Sequence, residues 1–391
     1  MRQVATEHVV AGMRTAQGIS KPGDMSKLPL VAAGVSITES IKARLLRSGV
    51  ERIYIDDDLS AGIEPVRAIS DATRTAAVSI VREAFTVMRS EDSQFTHDNM
   101  KHVDAAISTV IAELTGRKGL LICLSDLHVF GGDRIHDAIN ACVLGIAIGD
   151  RYFAEHGWRD FRGKRRDDRI PDRLAKLGVG LLFADIGLLS LPEELRSGMV
   201  MASAQARVMM KQHPVLGVEI LEASEVSPLV KVVIAQHHER WDGSGYPKRL
   251  AGEDVHELGQ IAGIADAWVG LTSRAQSAGK PISPHKAWEL LTQSSGRLFS
   301  EKIVTAFQLV VTPYGAGTIV QLSDGRVGIV RRSDPAAPHQ PLVRVTHDKA
   351  GDMTHEPDDL DLSLRRELRI TGVLDGFPTD TCTVMPALEI R

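Results

Sequence analysis

The run Gln236-His237-His238-Glu239-Arg240-Trp241-Asp242-Gly243-Ser244-Gly245-Tyr246-Pro247 limits what this chain can fold into more than any other stretch. It follows Leu229, Val230, Val232, Val233, Ile234 and Ala235, an apolar run that predicts a buried helix ending on two adjacent imidazoles. The chain then breaks on Asp-Gly-Ser-Gly, a turn signal without side-chain bulk. Upstream, His213-Pro214 closes Val208-Met209-Met210-Lys211-Gln212, and Asp185 interrupts the apolar segment Leu181 to Gly187. A lone histidine on an apolar face is most often a satisfied core residue. Three imidazoles and a carboxylate, each beside apolar helix, are hard to place by packing alone and point to a metal site.

The rest of the composition is that of a globular protein, and it excludes several function classes. A chain of 391 residues, 43% hydrophobic and 25% charged, has length for two or three domains. A net charge of -4 with no basic stripe argues against nucleic acid as a partner. Cys123, Cys142 and Cys382 are scattered and odd in number, so no disulfide framework is expected, and Cys142 reads as a small core residue. No segment approaches the roughly 18 apolar residues of a membrane span, and the N-terminus lacks a signal-peptide core. The expected compartment is the cytoplasm, with no membrane partner.

Read in order, the chain divides into four segments. Residues 1–60 form a small α+β module, with a helix over Ile41–Arg47 closed by Gly49 and a strand over Arg52–Ile55. Residues 61–118 are a helical connector, with Ala76, Ile80, Ala84 and Val87 on one face and Val103, Ile107, Val110 and Leu114 on another. Such a connector packs on its neighbour or on a second subunit, which makes a homodimer an open partner. Residues 119–312 are helical: a helix from Asp133 through Gly149, a charged solvated insertion over Arg159–Asp172, and an apolar helix over Leu258–Leu271 that carries Asp266. An unpaired carboxylate buried there would cost several kcal/mol, so Asp266 needs a partner. Further helices are expected over Pro284–Leu291 and Glu301–Val311. Residues 313–391 turn to β: a hairpin over 318–330 with an Asp324-Gly325 turn, a strand over Pro341–Thr346, and little beyond Gly351 except a strand at 367–373.

The motif carries a family resemblance. Gly245-Tyr246-Pro247 behind the His-His pair, with Asp242-Gly243-Ser244 leading in, resembles the HD-GYP branch of the HD-domain phosphohydrolases over roughly residues 120–312. The resemblance implies a mainly α protein with an HD-type helical bundle core, flanked here by the N-terminal α+β module and the short C-terminal β extension. It also implies metal-dependent hydrolysis of cyclic-di-GMP, with Asp185 as the catalytic and bridging carboxylate. By the same resemblance Asp185, His213, His237 and His238 hold one divalent transition metal, iron, manganese or zinc. His136, Asp266 and Asp185 hold a second. Asp242, Gly243, Gly245, Tyr246 and Pro247 form the loop facing substrate, or a protein partner such as a diguanylate cyclase.

Several departures from the family pattern cluster on one side of that site. Ala184 stands where the family has the histidine of its HD pair, which removes a ligand of the second ion. Leu188 replaces a lysine, Gly198-Met199-Val200 replaces Lys-Pro-Gly, Ala275 replaces an arginine with Arg274 one place off, and Val269 replaces an aspartate. Gly132 replaces a glutamate that some members use for a third metal. Charge-assisted contacts to its two phosphates would normally hold cyclic-di-GMP. The resemblance therefore implies a weakened or inactive phosphodiesterase that binds metal and works through protein contacts. The alternatives are an active phosphodiesterase on a one- or two-metal site, and a structural remnant with its histidines paired in a core.

Overall fold

Helix-stop and helix-start residues set the frame of the long helical region. Pro228 opens the helix Pro228–Gln236 behind Ser227, whose hydroxyl accepts from the Leu229 amide. His256 caps Glu257–Thr272 through Nδ1, which accepts from the Leu258 amide at 3.1 Å. In the computed structural model, the described residues are 1–19, 29–65, 67–89, 96–115, 121–122, 134–160, 162–196, 203–222, 224, 226–273, 282–334 and 336–377. They form two compact units.

The larger unit, Arg67–His128 with Gly132–Val311, is a helical bundle among its described residues. Its long helices are Asp71–Arg89, His97–Thr115, Arg134–His156, Ile170–Leu182, Glu257–Thr272, Pro284–Gln293 and Glu301–Val310. Phe153, Phe183, Trp268 and Phe307 are fully buried at their common core, with Val233 and Ile261 beside them. Shorter helices are Ala204–Met210, His213–Ile220, which opens on His213, and Pro228–Gln236, which His237 and His238 follow.

Three expectations for this unit change in detail. The helix expected to end at Gly149 runs on to His156, because Phe153 continues its buried face. On Asp71–Arg89 the buried face is Thr73, Ala77, Val78, Val81 and Ala84, while Ala76 is exposed. The branched Val78 and Val81 fill the interior better than Ala76 and so set the register. Val103, Ile107, Val110 and Leu114 are buried as expected. The charged insertion is not all loop: Trp158–Arg159 pairs with Arg165–Arg166 as an antiparallel ribbon, and Ile170 already begins a helix. Cys142 is a buried free thiol, and burial pushes its pKa up. Cys123 and Cys382 lie outside the described residues.

The smaller unit joins the two ends of the chain. Strands Arg2–Ala5 and Arg14–Thr15 flank Arg52–Asp56 in an antiparallel sheet, with the helix Glu39–Arg47 capped by Thr38. The C-terminal sheet has five antiparallel strands in the order Ile370–Leu374, Ile319–Leu322, Val327–Asp334, Ala337–His347, Met353–Asp361. Gly325, at φ +94°, makes the hairpin turn between Ile319–Leu322 and Val327–Asp334. Val4, Leu45, Ile53 and Ile55 share one core with Ile319, Val327, Ile329 and Phe377. Met353–Asp361 corrects the expectation of little structure after Gly351. It is an edge strand, rich in acidic residues and carrying Pro357, so it lacks the apolar alternation that reveals interior strands.

Candidate metal centre

A close approach of two backbones brings Asp185 to His213. Asp185 ends the turn after Ile170–Leu182, and Ile186–Ser190 continues as a 3₁₀ turn. A Cβ on Gly187 would lie 2.0 Å from the carbonyl oxygen of His213 and 2.5 Å from the amide nitrogen of Gly217. Only glycine lets the turn press against His213–Ile220 at this distance. His213 is the first residue of that helix rather than the end of the preceding one. His237 and His238 follow the last turn of Pro228–Gln236.

The sequence expectation that these residues meet has a definite geometry. One ligand atom from each of Asp185, His213, His237 and His238 lies within 4.8 Å of the other three. His213 and His237 are buried, and Asp185 and His238 are half-buried. The Asp185 carboxylate divides its oxygens: Oδ1 is 3.4 Å from Nε2 of His213, and Oδ2 accepts from Nη1 of Arg134 at 3.4 Å.

The protonation pattern of this group fits a cation. Nδ1–H of His213 donates to the Met210 carbonyl at 2.7 Å, and Nδ1–H of His237 donates to the Ile234 carbonyl at 2.8 Å. With Nδ1 as the donor, a neutral imidazole presents a lone pair at Nε2. The two Nε2 atoms are 3.2 Å apart. Two lone pairs at that distance repel unless a proton or a metal ion lies between them. Burial opposes the proton, lowering the pKa of both rings even against the charge of Asp185. His238 is held further below the ordinary range by burial and by its two neighbouring imidazoles. Three neutral imidazoles and one carboxylate suit a divalent transition metal.

The second set of expected ligands is arranged differently. Asp266 lies at the edge of the group, Oδ2 3.7 Å from Nδ1 of His238. Burial raises its pKa, as does the charge of Asp185. His136 is half-buried in the first turn of Arg134–His156 and is not one of the four mutually close ligands. Ala184 and Leu188 are both buried apolar side chains. Leu188 sits one 3₁₀ turn after Asp185, its amide donating to the Asp185 carbonyl at 3.0 Å. Val269 is buried in its helix. Gly132, Gly198-Met199-Val200, Arg274 and Ala275 lie outside the described residues.

The Gly-Tyr-Pro loop is folded back onto the histidines. A Cβ on Gly245 would meet the Arg240 nitrogen, Glu239 Cα and His238 carbonyl oxygen at 2.5 Å, so the loop closes only with glycine there. The Tyr246 amide then donates to the His238 carbonyl at 3.2 Å, and the Tyr246 ring stacks on His238 with centroids 4.6 Å apart. Burial and the carboxylates Asp266 and Asp185 raise the phenol pKa, so Tyr246 stays protonated. Asp242 is exposed, and its Oδ1 accepts from the Ser244 amide at 2.9 Å. Gly243 turns the chain at φ +75°.

Sequence reasoning missed five contributors. Buried Glu239 holds the far arm of the loop, accepting from the Lys248 and Leu250 amides at 2.7 and 3.0 Å. Arg240 donates to the His237 carbonyl at 3.1 Å, and its guanidinium lies 5.1 Å above the Phe299 ring. Lys211 places Nζ 5.3 Å from the centroid of Tyr246. Arg134 and Gly187 complete the set. Glu239 and Arg240 could have been suspected from charged residues wedged between an apolar helix and the turn. Nothing in spacing signals the other three.

Comparison with known proteins places these observations. An HD domain model matches residues 167–303, and a KOW domain associated with HD domains matches residues 319–377. Over 292 residues the chain is 25% identical to the cyclic di-GMP phosphodiesterase PA4108 of Pseudomonas aeruginosa, covering 73% of this chain and 66% of that one. It is 36% identical over 122 residues to the 3'3'-cGAMP-specific phosphodiesterase 2 of Vibrio cholerae, with 31% and 23% covered. A cyclic di-GMP phosphodiesterase of Thermotoga maritima is 33% identical over 168 residues, with 38% and 45% covered. The chain thus spans less than two thirds of the length of each of these relatives. Among the described residues, no helix is long and apolar enough to cross a membrane.

Proposed function

Because this chain is a member of the HD-GYP family, we propose that it is a metal-dependent phosphodiesterase of cyclic dinucleotides, weakened at one half of its centre. The observation that carries the proposal is the pairing of two facing Nε2 lone pairs with a neighbouring residue, Ala184, that offers no donor. Asp185, His213, His237 and His238 hold one ion; iron, manganese and zinc all accept this donor set. Such an ion would polarise an attacking water and a phosphate oxygen. The expected second ligand set, His136, Asp266 and Asp185, lacks the histidine that Ala184 replaces.

In hydrolysis, water adds to phosphorus, the bond to the ribose oxygen breaks, and that oxygen takes up a proton. Asp185 orients the water through its carboxylate, and neutral His213 and His237 keep their Nε2 atoms unprotonated at neutral pH. Tyr246, stacked on His238, closes one side of the centre to solvent and keeps a phenolic proton to donate. Leu188 adds no charge toward the phosphate. Cyclic-di-GMP is the substrate favoured by the names of two of these relatives. The Gly-Tyr-Pro loop is also the surface through which a protein partner, such as a diguanylate cyclase, would read the centre.

The test is turnover of cyclic-di-GMP with added manganese or iron. The unmodified chain should be slow or silent, and Ala184→His with Leu188→Lys should exceed either single change, since both act on one transition state. Turnover of the unmodified chain at about 1 per second or faster would remove the weakening from the proposal. A fully active phosphodiesterase is the second reading. It is favoured by Lys211, whose ammonium over Tyr246 brings a positive charge to the loop.

A further inference from the structure

Asp185 divides its two oxygens between unlike partners. Oδ1 faces the histidines, 3.4 Å from Nε2 of His213, while Oδ2 accepts from the guanidinium of Arg134 at 3.4 Å. A carboxylate that bridges two metal ions presents one oxygen to each. Here the oxygen turned away from the histidines meets an organic cation. We propose that Arg134 occupies the place of a second ion, so the centre is built from one metal ion and one fixed guanidinium. This deepens the functional reading above and rests on its four-ligand metal centre.

Three further observations support it. First, Ala184, next to Asp185, is buried and carries no ligand atom, so a second ion would lack a donor that Arg134 does not need. Second, the Asp185 Oδ2 that a second ion would need is already engaged by Nη1 of Arg134, while Oδ1 is turned to His213. Third, Arg134 stands at the start of Arg134–His156, and its side chain is 35% exposed. A guanidinium has five donors and stays charged throughout the working pH range. One N–H on Asp185 therefore leaves others for a phosphate oxygen, and no metal loading is required for that positive charge.

The experiment uses the full chain, equilibrium dialysis against manganese, metal counting, and the electron spin resonance of bound Mn(II). Exchange coupling in the spectrum reports two adjacent ions and is independent of turnover. The unmodified chain should hold about one ion, and Arg134→Ala with Ala184→His should hold about two that couple magnetically. Arg134→Lys with Ala184→His keeps the charge and should stay near one ion, which guards against a loss of fold as the cause. In parallel, Arg134→Ala alone should raise the KM for cyclic-di-GMP about tenfold or more, the cost of a lost charge-assisted contact. The proposal is overturned if the unmodified chain already holds two coupled ions, or if Arg134→Ala with Ala184→His still holds one at saturating manganese. An unmodified chain that binds no manganese, iron or zinc refutes the metal centre itself, a different result from either of those.

Discussion

The two sides of Asp185 are built by different rules. On the Oδ1 side, His213 and His237 are pinned by hydrogen bonds from Nδ1 to the carbonyls of Met210 and Ile234, each three residues back in its own chain segment. Secondary structure itself aims their Nε2 atoms, and burial keeps them neutral. On the Oδ2 side, the partner is a long flexible arginine; the neighbouring Ala184 is buried and offers no ligand, and Asp266, whose ionisation burial resists, stands at the edge of the group beside His238. One half is preorganised by the backbone and the other depends on a side chain that several rotatable bonds must hold in place. Affinity for metal should therefore reside almost wholly in the first half.

Removing a ligand from each half gives the largest contrast. His213→Ala or His238→Ala should empty the centre, and under metal saturation this also removes the stabilisation of a bound ion. That linkage is worth about 4 kcal/mol at a thousandfold excess over Kd. Asp266→Asn should leave about one ion per chain, since the four close ligands remain. Metal counting on the three variants beside the parent, with melting in metal and in chelator, checks this. Equal metal loss from Asp266→Asn would erase the distinction between the halves.

Next in size is the backbone contact that assembles the first half. Gly187→Ala places a Cβ 2.0 Å from the His213 carbonyl oxygen, and neither backbone can yield without moving a ligand. Overpacking of this kind costs about 1–3 kcal/mol. The variant should melt lower even in chelator, and its residual metal affinity should fall as well. Unchanged melting and metal affinity would mean that this close approach does not position Asp185.

How much of this was legible in the sequence follows from the same contrast. Asp185, His213, His237 and His238 stood out because polar residue types interrupt apolar runs. The Asp324-Gly325 turn marked its hairpin because the backbone there needs positive φ. Arg134 and Lys211 gave no such signal, since the destination of a long side chain is set by tertiary packing that periodicity does not encode. The register of Asp71–Arg89 slipped because small Ala76 and Ala77 are interchangeable in a pattern and only packing against Val78 and Val81 separates them. The shared core of Val4, Ile53, Ile319 and Ile329 joins segments at opposite ends of the chain, and neither half alone shows its partner.

Acidity offers a finer probe of the histidine half. His213, His237 and His238 have folded pKa values below the unfolded value of about 6.5, so between those limits the unfolded chain binds more protons. The metal-free protein should therefore lose stability as pH falls below about 6.5, by at most about 1.4 kcal/mol per pH unit for each imidazole. Above that pH these rings contribute no slope. Chemical unfolding of the metal-free chain at pH 7.5, 6.5 and 5.5 measures it, and His238→Ala should flatten the profile. A profile with no acid-side loss would mean that the imidazoles are not held neutral by burial.

The smallest expected effect lies outside both halves, at the mouth of the loop. Lys211 is exposed, and its Nζ sits 5.3 Å from the centroid of Tyr246, whose ring also stacks on His238. A cation over an aromatic face at an exposed position is worth about 0.5–1 kcal/mol. Lys211→Ala should thus cost little stability, and the metal count should stay unchanged because no ligand moves. What it should lose is one positive charge near the loop that a dinucleotide phosphate would approach, a loss on the order of a few-fold in affinity at low salt that shrinks as salt rises. Lys211→Arg keeps both the charge and the stacking and should restore binding. Titration of cyclic-di-GMP into the parent and both variants at two salt concentrations separates the outcomes. A salt-independent loss would trace the effect to Tyr246 shifting on His238, making Lys211 a support for the loop rather than a contact for the substrate.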